Sequence, residues 1–478
     1  MKNVKGKTLT IDEGLRFPQY AQALDFAQLV KDYPPPPEFF RSVYRMPRDK
    51  LDALKEKRFL ALIKRGWEIP FFKRRWKAAG LEPGDIKGLA DIGRIPPYTV
   101  HDTRKSIEEH PPFGDFMGIP VGGENPLPLV LHTSGGTTGM PRPMLYTPQD
   151  RETMAILGAR RYAMQGMRPG DKVLAALSLG LSNGGFALRD TIWKYIGAIP
   201  VMTGGGNTTP TRRQVEIMKT WGIDIVCSFP AYLRHLAIVA RDELKLDPHS
   251  LGVRALHSHI GIEDRARIEA LWNAPCYDMY GTNESGMMAC ECVHQTGMHI
   301  QEDAVILEVA DPETGEILPE GEKGTVYITT LYRWGAPSIR FNVNDISALM
   351  PPGCECGSTF ARLDKIFGRN DNMVKLRGAN VFPEAVGVTV AEDARSNGEF
   401  FCVVERVGES QTDEMTVMVE VLDLPADGAA VKADLEKRLK EVIGVRVTVQ
   451  PAGKGELDEH TGTTQTTKLK RLLDKRKA

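Results

Sequence analysis

The sequence predicts an α/β fold: a large N-terminal domain, residues 1–370, in which several sheets pack with helices, and a small α+β C-terminal domain, residues 371–478. From about residue 128, strand-like apolar runs alternate with segments long enough for helices, a pattern typical of parallel sheets covered by helices. After about residue 302, apolar runs joined by turns rich in Gly, Asp and Glu favour antiparallel sheet. A chain of 478 residues is also longer than a single hydrophobic core usually supports, so two or more domains are expected.

The elements of the large domain begin with helices. Between residues about 50 and 110, apolar residues recur at helical spacing, among them Leu51, Leu54, Phe59, Leu62 and Ile63. The alternating region that follows contains six strand-like runs: "LPLVLH", "DKVLAALS", "IPVMT", "IDIVCSF", "VRALHSHI" and "PCYDMYG".

The small domain combines strands with one long helix. The runs "FFCVVERV" and "MTVMVEVL" predict two strands. The apolar face predicted for the helix that follows consists of Val431, Leu435, Leu439, Val442 and Ile443. Gly444 stands where a C-terminal cap belongs, and "VRVTVQ" returns as a strand.

The composition excludes several classes of function. The formal net charge is -1, whereas a nucleic-acid or anionic-membrane partner would favour a basic surplus. The chain contains no run of about 18 apolar residues that could span a bilayer, and its N-terminus lacks the apolar segment of a secretory signal. We therefore expect a soluble cytoplasmic protein without a nucleic-acid or membrane partner.

The seven cysteines fall into two groups. Cys227, Cys276 and Cys402 stand alone in apolar sequence, which is typical of buried, inert thiols. The other four form two C-x-C pairs, at residues 290 and 292 and at residues 354 and 356. In a reducing cytosol such pairs favour a metal site over a disulfide, with reduced thiols as the alternative.

Residues 133–141, "TSGGTTGMP", form a loop too flexible and polar for a core element. Its hydroxyl groups can donate to an anion, and its glycines allow main-chain N–H groups to approach closely. It lacks the G-K-[ST] ending of a Walker A loop, so an ordinary surface turn is the alternative. The candidate phosphate-binding residues are Ser134, Gly135, Gly136, Thr137, Thr138 and Gly139.

Further segments follow the loop in a fixed order: "YGTNE" at 280–284, "FNVND" at 341–345, "GRNDNMVKLRGANVFP" at 368–383 and "TKLKRLLDKR" at 467–476. Together they resemble the adenylate-forming superfamily of acyl-CoA synthetases, luciferases and peptide-synthetase adenylation domains. Within it, "EIPFFKRRWKAAGLEPGDIKGLADIGRIP" and the run "EC" followed by "GMHIQED" resemble phenylacetate-CoA ligases most. The resemblance covers the chain from about residue 68 to its end.

The resemblance implies an ATP-dependent, AMP-forming ligase that acts on an aromatic or arylacetic acid. The acid and ATP give an acyl-adenylate and pyrophosphate, and the thiol of CoA then displaces AMP. ATP, Mg²⁺ and CoA are the implied cofactors, a small-molecule carboxylic acid is the partner, and a homodimer is compatible. Two alternatives stay open: transfer to a carrier protein or amine, and a catalytically silent nucleotide- or acyl-binding protein.

The resemblance also implies a nucleotide site. The loop cradles the β- and γ-phosphates, Glu284 holds Mg²⁺, and Asp345 binds the ribose hydroxyls. Arg369 contacts ribose and phosphate. The remaining implied ATP-binding residues lie in the turn against adenine and in the "YGTNE" segment, with Tyr280 stacking on the ring: Gly261, Glu263, Tyr280, Gly281, Thr282 and Asn283.

The resemblance implies that the C-terminal segments contain the mobile lysine, the hinge and the residues of the CoA passage. Lys468 matches the mobile lysine that contacts the α-phosphate and the acid's carboxylate during adenylation. Asp371 is implied to be the hinge of the small, mobile domain. Arg377 and Gly378 are implied to line the passage for the pantetheine arm of CoA, where a side chain would obstruct the thiol.

Two further sites follow from the resemblance. Gly-rich and aromatic residues would form the acid pocket: Asn183, Gly184, Gly185, Phe186, Phe229, His259 and Met279. A tetrahedral structural Zn²⁺ site is implied for Cys292, His299, Cys354 and Cys356, with Cys290 and His294 as spare candidates.

The chain departs from the family's pattern at four positions. Met140 stands where relatives usually have Lys, and Asn283 replaces Thr or Ser. Thr467 replaces the Gly before the mobile lysine, and Gly387 replaces a common Glu. Because Met140 removes a phosphate contact and Thr467 alters the setting of the lysine, these two motivate the catalytically silent alternative.

Overall fold

A computed structural model describes residues 18–122, 126–134, 141–370, 374–376, 379–381, 383–407, 412–462 and 470–477. The helices are α1 (Phe26–Asp32), α2 (Glu38–Arg41), α3 (Arg48–Gly66), α4 (Pro70–Ala78), α5 (Val100–Glu109), α6 (Pro148–Met164), α7 (Gly184–Thr191), α8 (Thr211–Trp221), α9 (Pro230–Ile238), α10 (Arg265–Trp272), α11 (Pro383–Ala391), α12 (Leu424–Ile443) and α13 (Asp458–Thr461). Within these described ranges, no helix combines the length and apolar content required to cross a membrane.

The strands are β1 (Val130–Ser134), β2 (Arg142–Tyr146), β3 (Lys172–Ala175), β4 (Ile199–Met202), β5 (Ile225–Cys227), β6 (Ala255–His257), β7 (Cys276–Tyr277), β8 (Met279–Thr282), β9 (Gly286–Cys290), β10 (Met298–Ile300), β11 (Val305–Ala310), β12 (Lys323–Thr330), β13 (Phe341–Met350), β14 (Arg362–Leu363), β15 (Gly368–Arg369), β16 (Val374–Leu376), β17 (Ala379–Val381), β18 (Ser396–Val407), β19 (Thr412–Val421), β20 (Thr448–Ala452) and β21 (Leu472–Asp474). The predicted α/β fold class is confirmed.

Two sheets of the N-terminal region pack on opposite sides of α6. The parallel sheet has the order β4-β3-β5-β6-β7, and the larger sheet has the order β11-β12-β13-β14-β10-β9-β8, with β15 on β13. A capping box of Thr147 and Asp150 begins α6, and Pro148 stands at its start. Ala159 and Tyr162 belong to the apolar cluster of the parallel sheet, whereas Ile156 belongs to that of the larger sheet. The helix is therefore buried on nearly all sides.

The antiparallel pairing expected after residue 302 is present, because β11 pairs with β12 from Val305 to Ala310. The β8–β9 hairpin lies at the opposite edge of the same sheet and carries the "YGTNE" segment. A separate two-stranded hairpin, β1–β2, flanks the glycine-rich loop.

The residues from 374 to 477, which we call the C-terminal unit, have their own sheet and core. The four-stranded sheet has the order β20-β19-β18-β21, and Val431, Leu435 and Leu439 of α12 are fully buried against it. Gly444 ends α12 with a φ of 74°, the left-handed conformation that favours glycine. The prediction for Val442 was wrong: it is 59% exposed, because it lies in the last turn of α12, beyond the part of the helix that the sheet covers.

Charged groups join the C-terminal unit to the N-terminal region. The guanidinium of Arg267 in α10 donates to the main-chain oxygens of residues 391 and 396, at 3.1 and 3.3 Å. Arg234 in α9 lies 2.8 Å from Glu263 and 3.8 Å from Glu399 of β18. Glu399 is paired in turn with Arg471 at 2.8 Å. The boundary at residues 370 and 371 stays a prediction.

Candidate active site

The loop between β8 and β9 lies against the β1–β2 hairpin. The side-chain amide of Asn283 donates to the main-chain oxygen of Thr133 at 3.0 Å, and the Tyr146 hydroxyl donates to the main-chain oxygen of Asn283 at 2.7 Å. Thr133 directly precedes Ser134, the last described residue before the glycine-rich loop. Two segments 150 residues apart in sequence are thus brought together, as the predicted nucleotide site requires.

Glu284, the predicted Mg²⁺ ligand, is buried and forms a short ion pair with the guanidinium of Arg142. Burial opposes ionisation of this carboxyl, but attraction to Arg142 outweighs it with the help of hydrogen bonds, so the pKa of Glu284 lies below its ordinary value. The carboxylate is therefore charged at neutral pH, which is the form that binds a divalent cation.

Asp345 and Arg369 are cross-strand partners in β13 and β15. The guanidinium of Arg369 lies 2.9 Å from one carboxylate oxygen of Asp345, and the Tyr280 hydroxyl donates to the other at 2.7 Å. Three residues predicted to bind ATP therefore form one cluster. The Tyr280 ring is only 4% exposed and lies in the core, so its stacking on adenine stays a prediction.

The turn predicted to lie against adenine is held by a buried carboxylate. Asp278 accepts hydrogen bonds from the main-chain N–H groups of Ile260, Gly261 and Met279, at 2.7, 3.0 and 2.8 Å. Gly261 has a φ of 56°, which favours glycine. Burial and the nearby Glu291 raise the pKa of Asp278 to about 6, against the effect of these three hydrogen bonds.

The aromatic residues predicted for the acid pocket pack on histidine rings. The Phe186 ring packs on His132 of β1 at a centroid distance of 5.2 Å, and Phe229 stacks on the exposed His259 at 5.7 Å. Asn183 is buried, and its amide oxygen accepts a short hydrogen bond from Arg151. The Asn183 side chain is thus bound by Arg151, and its contact with the acid stays a prediction. The remaining predicted pocket residues, Gly184, Gly185 and Met279, lie at the start of α7 and of β8.

The four predicted zinc ligands form one cluster. Within the described part of the chain, the donor atoms of Cys292, His299, Cys354 and Cys356 all lie within 4.8 Å of one another. Cys292 Sγ is 3.6 Å from Cys354 Sγ, and Cys356 Sγ is 3.5 Å from His299 Nε2. A tetrahedral zinc site places two sulfurs about 3.8 Å apart and sulfur and nitrogen about 3.6 Å apart, so the donors fit the ion.

The two spare candidates have other contacts. Cys290 Sγ lies 4.0 Å from the sulfur of Met164, and His294 Nδ1 lies 3.5 Å from Glu355. Burial, with smaller contributions from Arg362 and His294, lowers the pKa of His299 to about 4, so its imidazole is neutral at physiological pH. Neutral imidazole is the form that binds zinc.

Several predicted residues lie outside the described part of the chain. They are four groups in sequence order: Gly135, Gly136, Thr137, Thr138 and Gly139 of the loop, the hinge residue Asp371, the CoA-binding residues Arg377 and Gly378, and the mobile Lys468. Their roles stay predictions.

Three residues of the site were missed in the sequence. Arg142 supplies the positive charge near the loop, and its place three residues after Gly139 was the available signal. Asp278 stands two residues before Tyr280, where a carboxylate between apolar residues was the signal. His132 had no signal, because its packing against Phe186 depends on the tertiary fold.

We expect Arg142→Met to lower the thermal unfolding midpoint at pH 7, since it leaves Glu284 buried without its cation, a change that typically costs about 3–5 kcal/mol. In the parent chain the pKa of Glu284 is lowered, so the pair stabilises the fold above the ordinary carboxyl pKa and is lost as pH falls through the folded pKa. The difference in unfolding midpoint between the variant and the parent should therefore become smaller as the pH is lowered. Arg142→Lys is the control that keeps a cation, and a difference in unfolding midpoint that stays constant as pH falls from 7 to below the lowered pKa of Glu284 would contradict the assignment.

Comparison with known proteins identifies the family. The sequence profile of the AMP-binding enzymes matches residues 97–331, and that of the AMP-binding enzyme C-terminal domain matches residues 378–476. The phenylacetate-coenzyme A ligase of Thermus thermophilus is 31% identical over 459 residues, covering 90% of this chain and 98% of the relative. The ligase of the same name from Aromatoleum evansii is 29% identical over 460 residues, covering 92% and 98%.

Solved structures agree with this result. The 2-hydroxyisobutyryl-CoA ligase in the postadenylation state, in complex with R3-HIB-AMP, superposes with a TM-score of 0.81 at 29% identity, covering 93% of this chain and 94% of that one. The same ligase in the thioesterification state, with 2-HIB-AMP and CoA, gives 0.66 at similar coverage. The chain belongs to the adenylate-forming AMP-binding enzymes and, among them, to the phenylacetate-CoA ligase family of AMP-forming acid–CoA ligases.

Proposed function

We propose that the acid joined to CoA by this AMP-forming ligase is an aromatic or arylacetic acid. The observation that carries the proposal is that two adjacent residues of β1 contact the two halves of the site. His132 packs on Phe186 of the predicted acid pocket, and Thr133 accepts the hydrogen bond from Asn283 of the nucleotide segment. An acid held beside these rings would have its carboxylate near the α-phosphate of ATP. The relatives named phenylacetate-coenzyme A ligase support the same substrate class.

The residues present suit the adenylation step. Ser134 and the glycine-rich loop would bind the phosphate tail, and the cluster of Asp345 and Arg369 would bind ribose. Glu284, ionised at neutral pH, is suited to holding Mg²⁺. When bound, Mg²⁺ supplies charge neutralisation at the phosphates. Lys468 would stabilise the charge that develops when the carboxylate attacks the α-phosphorus and pyrophosphate leaves.

Thioester formation would use a second orientation of the C-terminal unit. Rotation about Asp371 would withdraw Lys468 and bring Arg377 and Gly378 to the CoA passage. The CoA sulfur then attacks the acyl carbon, the bond to the AMP oxygen breaks, and AMP leaves. The higher TM-score against the postadenylation state than against the thioesterification state supports two distinct arrangements.

We further propose that Cys292, His299, Cys354 and Cys356 hold a structural zinc ion. The donor set and its spacing fit four-coordinate zinc, and the site joins the β9–β10 region to the loop after β13. A cytoplasmic location would keep these thiols reduced. A homodimer, and the lack of nucleic-acid and membrane partners, remain predictions.

A small branched hydroxy acid is the second candidate substrate. The solved ligase with a TM-score of 0.81 binds the adenylates of such acids. The exposed imidazole of His259, stacked on Phe229, is a polar group that could contact a substrate hydroxyl.

We expect phenylacetate or a ring-substituted relative to support CoA-dependent AMP release at least about ten times faster than 2-hydroxyisobutyrate, since a ring gains more apolar contact than a branched C4 acid. The measurement is kcat/KM for each acid in a panel. Preference for 2-hydroxyisobutyrate would overturn the aromatic assignment. Pyrophosphate exchange without CoA-dependent AMP release would instead indicate a carrier protein or amine as acceptor, and ATP binding without any exchange would indicate a silent protein.

We expect Lys468→Ala to reduce ATP–pyrophosphate exchange by a factor on the order of 10² or more, because the cation at the α-phosphate is lost. Thioester formation from preformed acyl-adenylate should stay within about twofold of the parent rate. Lys470→Ala is the matched control two residues away and should leave both rates unchanged. Equal loss of both half-reactions in Lys468→Ala would remove the assigned role.

We expect metal analysis of the purified protein to find one zinc per chain. Cys354→Ser should lower the zinc content and the thermal unfolding midpoint, since the ion joins two distant segments. Cys276→Ala, a buried cysteine outside the cluster, is the control that should keep full zinc content. A content below about one zinc per two chains would exclude the site.

A further inference from the structure

The loop between β8 and β9 has an unusual set of main-chain partners. Its three residues, 283–285, each present a carbonyl oxygen to a side chain from elsewhere in the chain. The Tyr146 hydroxyl donates to Asn283 O at 2.7 Å, and the Tyr332 hydroxyl donates to Ser285 O at 2.8 Å. Arg333 donates to Glu284 O at 2.6 Å and contacts Asn283 O at 3.3 Å. The loop that carries Glu284 is therefore fixed through its backbone.

Arg333 is placed to connect this loop with β2. Its side chain is 1% exposed, and its second terminal nitrogen donates to Leu145 O at 2.8 Å. Its guanidinium lies 4.4 Å from the centroid of the Tyr146 ring, and its Nε has no hydrogen-bond partner among the described residues. Burying the Arg333 guanidinium costs desolvation energy. Its hydrogen bonds to main-chain oxygens have to offset that cost.

Two buried arginines thus contact Glu284 at different points. Arg142 holds the carboxylate, while Arg333 holds the main chain of the same residue. We propose that Arg333 is a positioning residue that fixes the main chain of Glu284, so that its carboxylate can bind Mg²⁺ without movement of the loop. This inference rests on the proposed role of Glu284 as the Mg²⁺ ligand.

The geometry requires an arginine for this task. A planar guanidinium presents several N–H donors in fixed directions and can join carbonyl oxygens on two segments at once. The ammonium group of a lysine is a compact charge on a flexible side chain, so it can bind fewer of these carbonyl oxygens at the same time. Mg²⁺ demands near-ideal ligand geometry, and a loosened loop therefore weakens its binding more than it weakens binding of the acid.

The test is ATP–pyrophosphate exchange as a function of free Mg²⁺ at saturating ATP and acid. Arg333→Met should raise the half-saturating Mg²⁺ concentration by a factor on the order of ten, the loss typical of charge-assisted hydrogen bonds. KM for the acid and the rate of thioester formation from preformed acyl-adenylate should stay within about twofold. Arg333→Lys should give an intermediate Mg²⁺ response.

Arg340→Met is the matched control. Arg340 is equally buried, at 2% exposure, and also donates to two main-chain oxygens, those of Gly93 and Ile95. Its carboxylate partner is Glu308, so it makes its contacts away from Glu284. This variant should lower the unfolding midpoint without a shift in the Mg²⁺ response.

The outcomes separate this inference from the proposed function. If Glu284→Gln leaves the Mg²⁺ response unchanged, the proposed metal role of Glu284 fails, and the inference fails with it. If Glu284→Gln shifts the response and folded Arg333→Met does not, the inference alone is wrong. An equal shift in Arg340→Met would also overturn it, because general destabilisation would then explain the effect. Should Arg333→Met not fold, Arg333→Lys decides: a parental Mg²⁺ response in that variant overturns the inference.

Discussion

The carboxylate of Glu284 stays ionised inside the protein because the Arg142 guanidinium lies against it. Without that cation, burial would favour the neutral acid, which is a poor metal ligand. The pair also connects the β1–β2 hairpin to the β8–β9 loop, so one electrostatic contact joins two segments of the proposed nucleotide site. Arg142 thereby places a positive charge on the strand that follows the glycine-rich loop, whose sequence lacks the lysine of a Walker A loop.

Sheet register supplies the remaining geometry. Asp345 and Arg369 are 24 residues apart in sequence, yet they become neighbours because β15 pairs with β13 at that point. Tyr280 donates a hydrogen bond to the same carboxylate from β8, the edge strand of the same sheet. The cluster is carried by paired strands of one sheet, which suits the ribose-binding role proposed for it.

Local patterns in the sequence predicted much of this arrangement. The alternation of strands and helices predicted the parallel sheet, and glycine at position 444 predicted the end of α12. The zinc candidates were predicted from spacing and resemblance, and the fold brings their donor atoms together. Arg142 and Arg333 escaped notice, since an arginine normally lies at the surface and only tertiary contacts bury it. The partner of Arg333 in β2 is 188 residues away, a separation that no local pattern encodes.

At the contact between the N-terminal region and the C-terminal unit, Arg234 and Glu399 each have a short ion pair on their own side. Arg234 has its short contact with Glu263, and Arg471 has its short contact with Glu399, while the pair that crosses between them is longer, at 3.8 Å. Separating the two surfaces would therefore leave Arg234 and Glu399 each with its nearer counter-ion, whereas Arg267 would lose the main-chain oxygens of residues 391 and 396. The electrostatic cost of separation is greatest when a buried ion loses its only counter-ion, and Arg234 and Glu399 each keep one. The ion pairs of Arg234 and Glu399 therefore add little to the cost of the rotation proposed for the C-terminal unit.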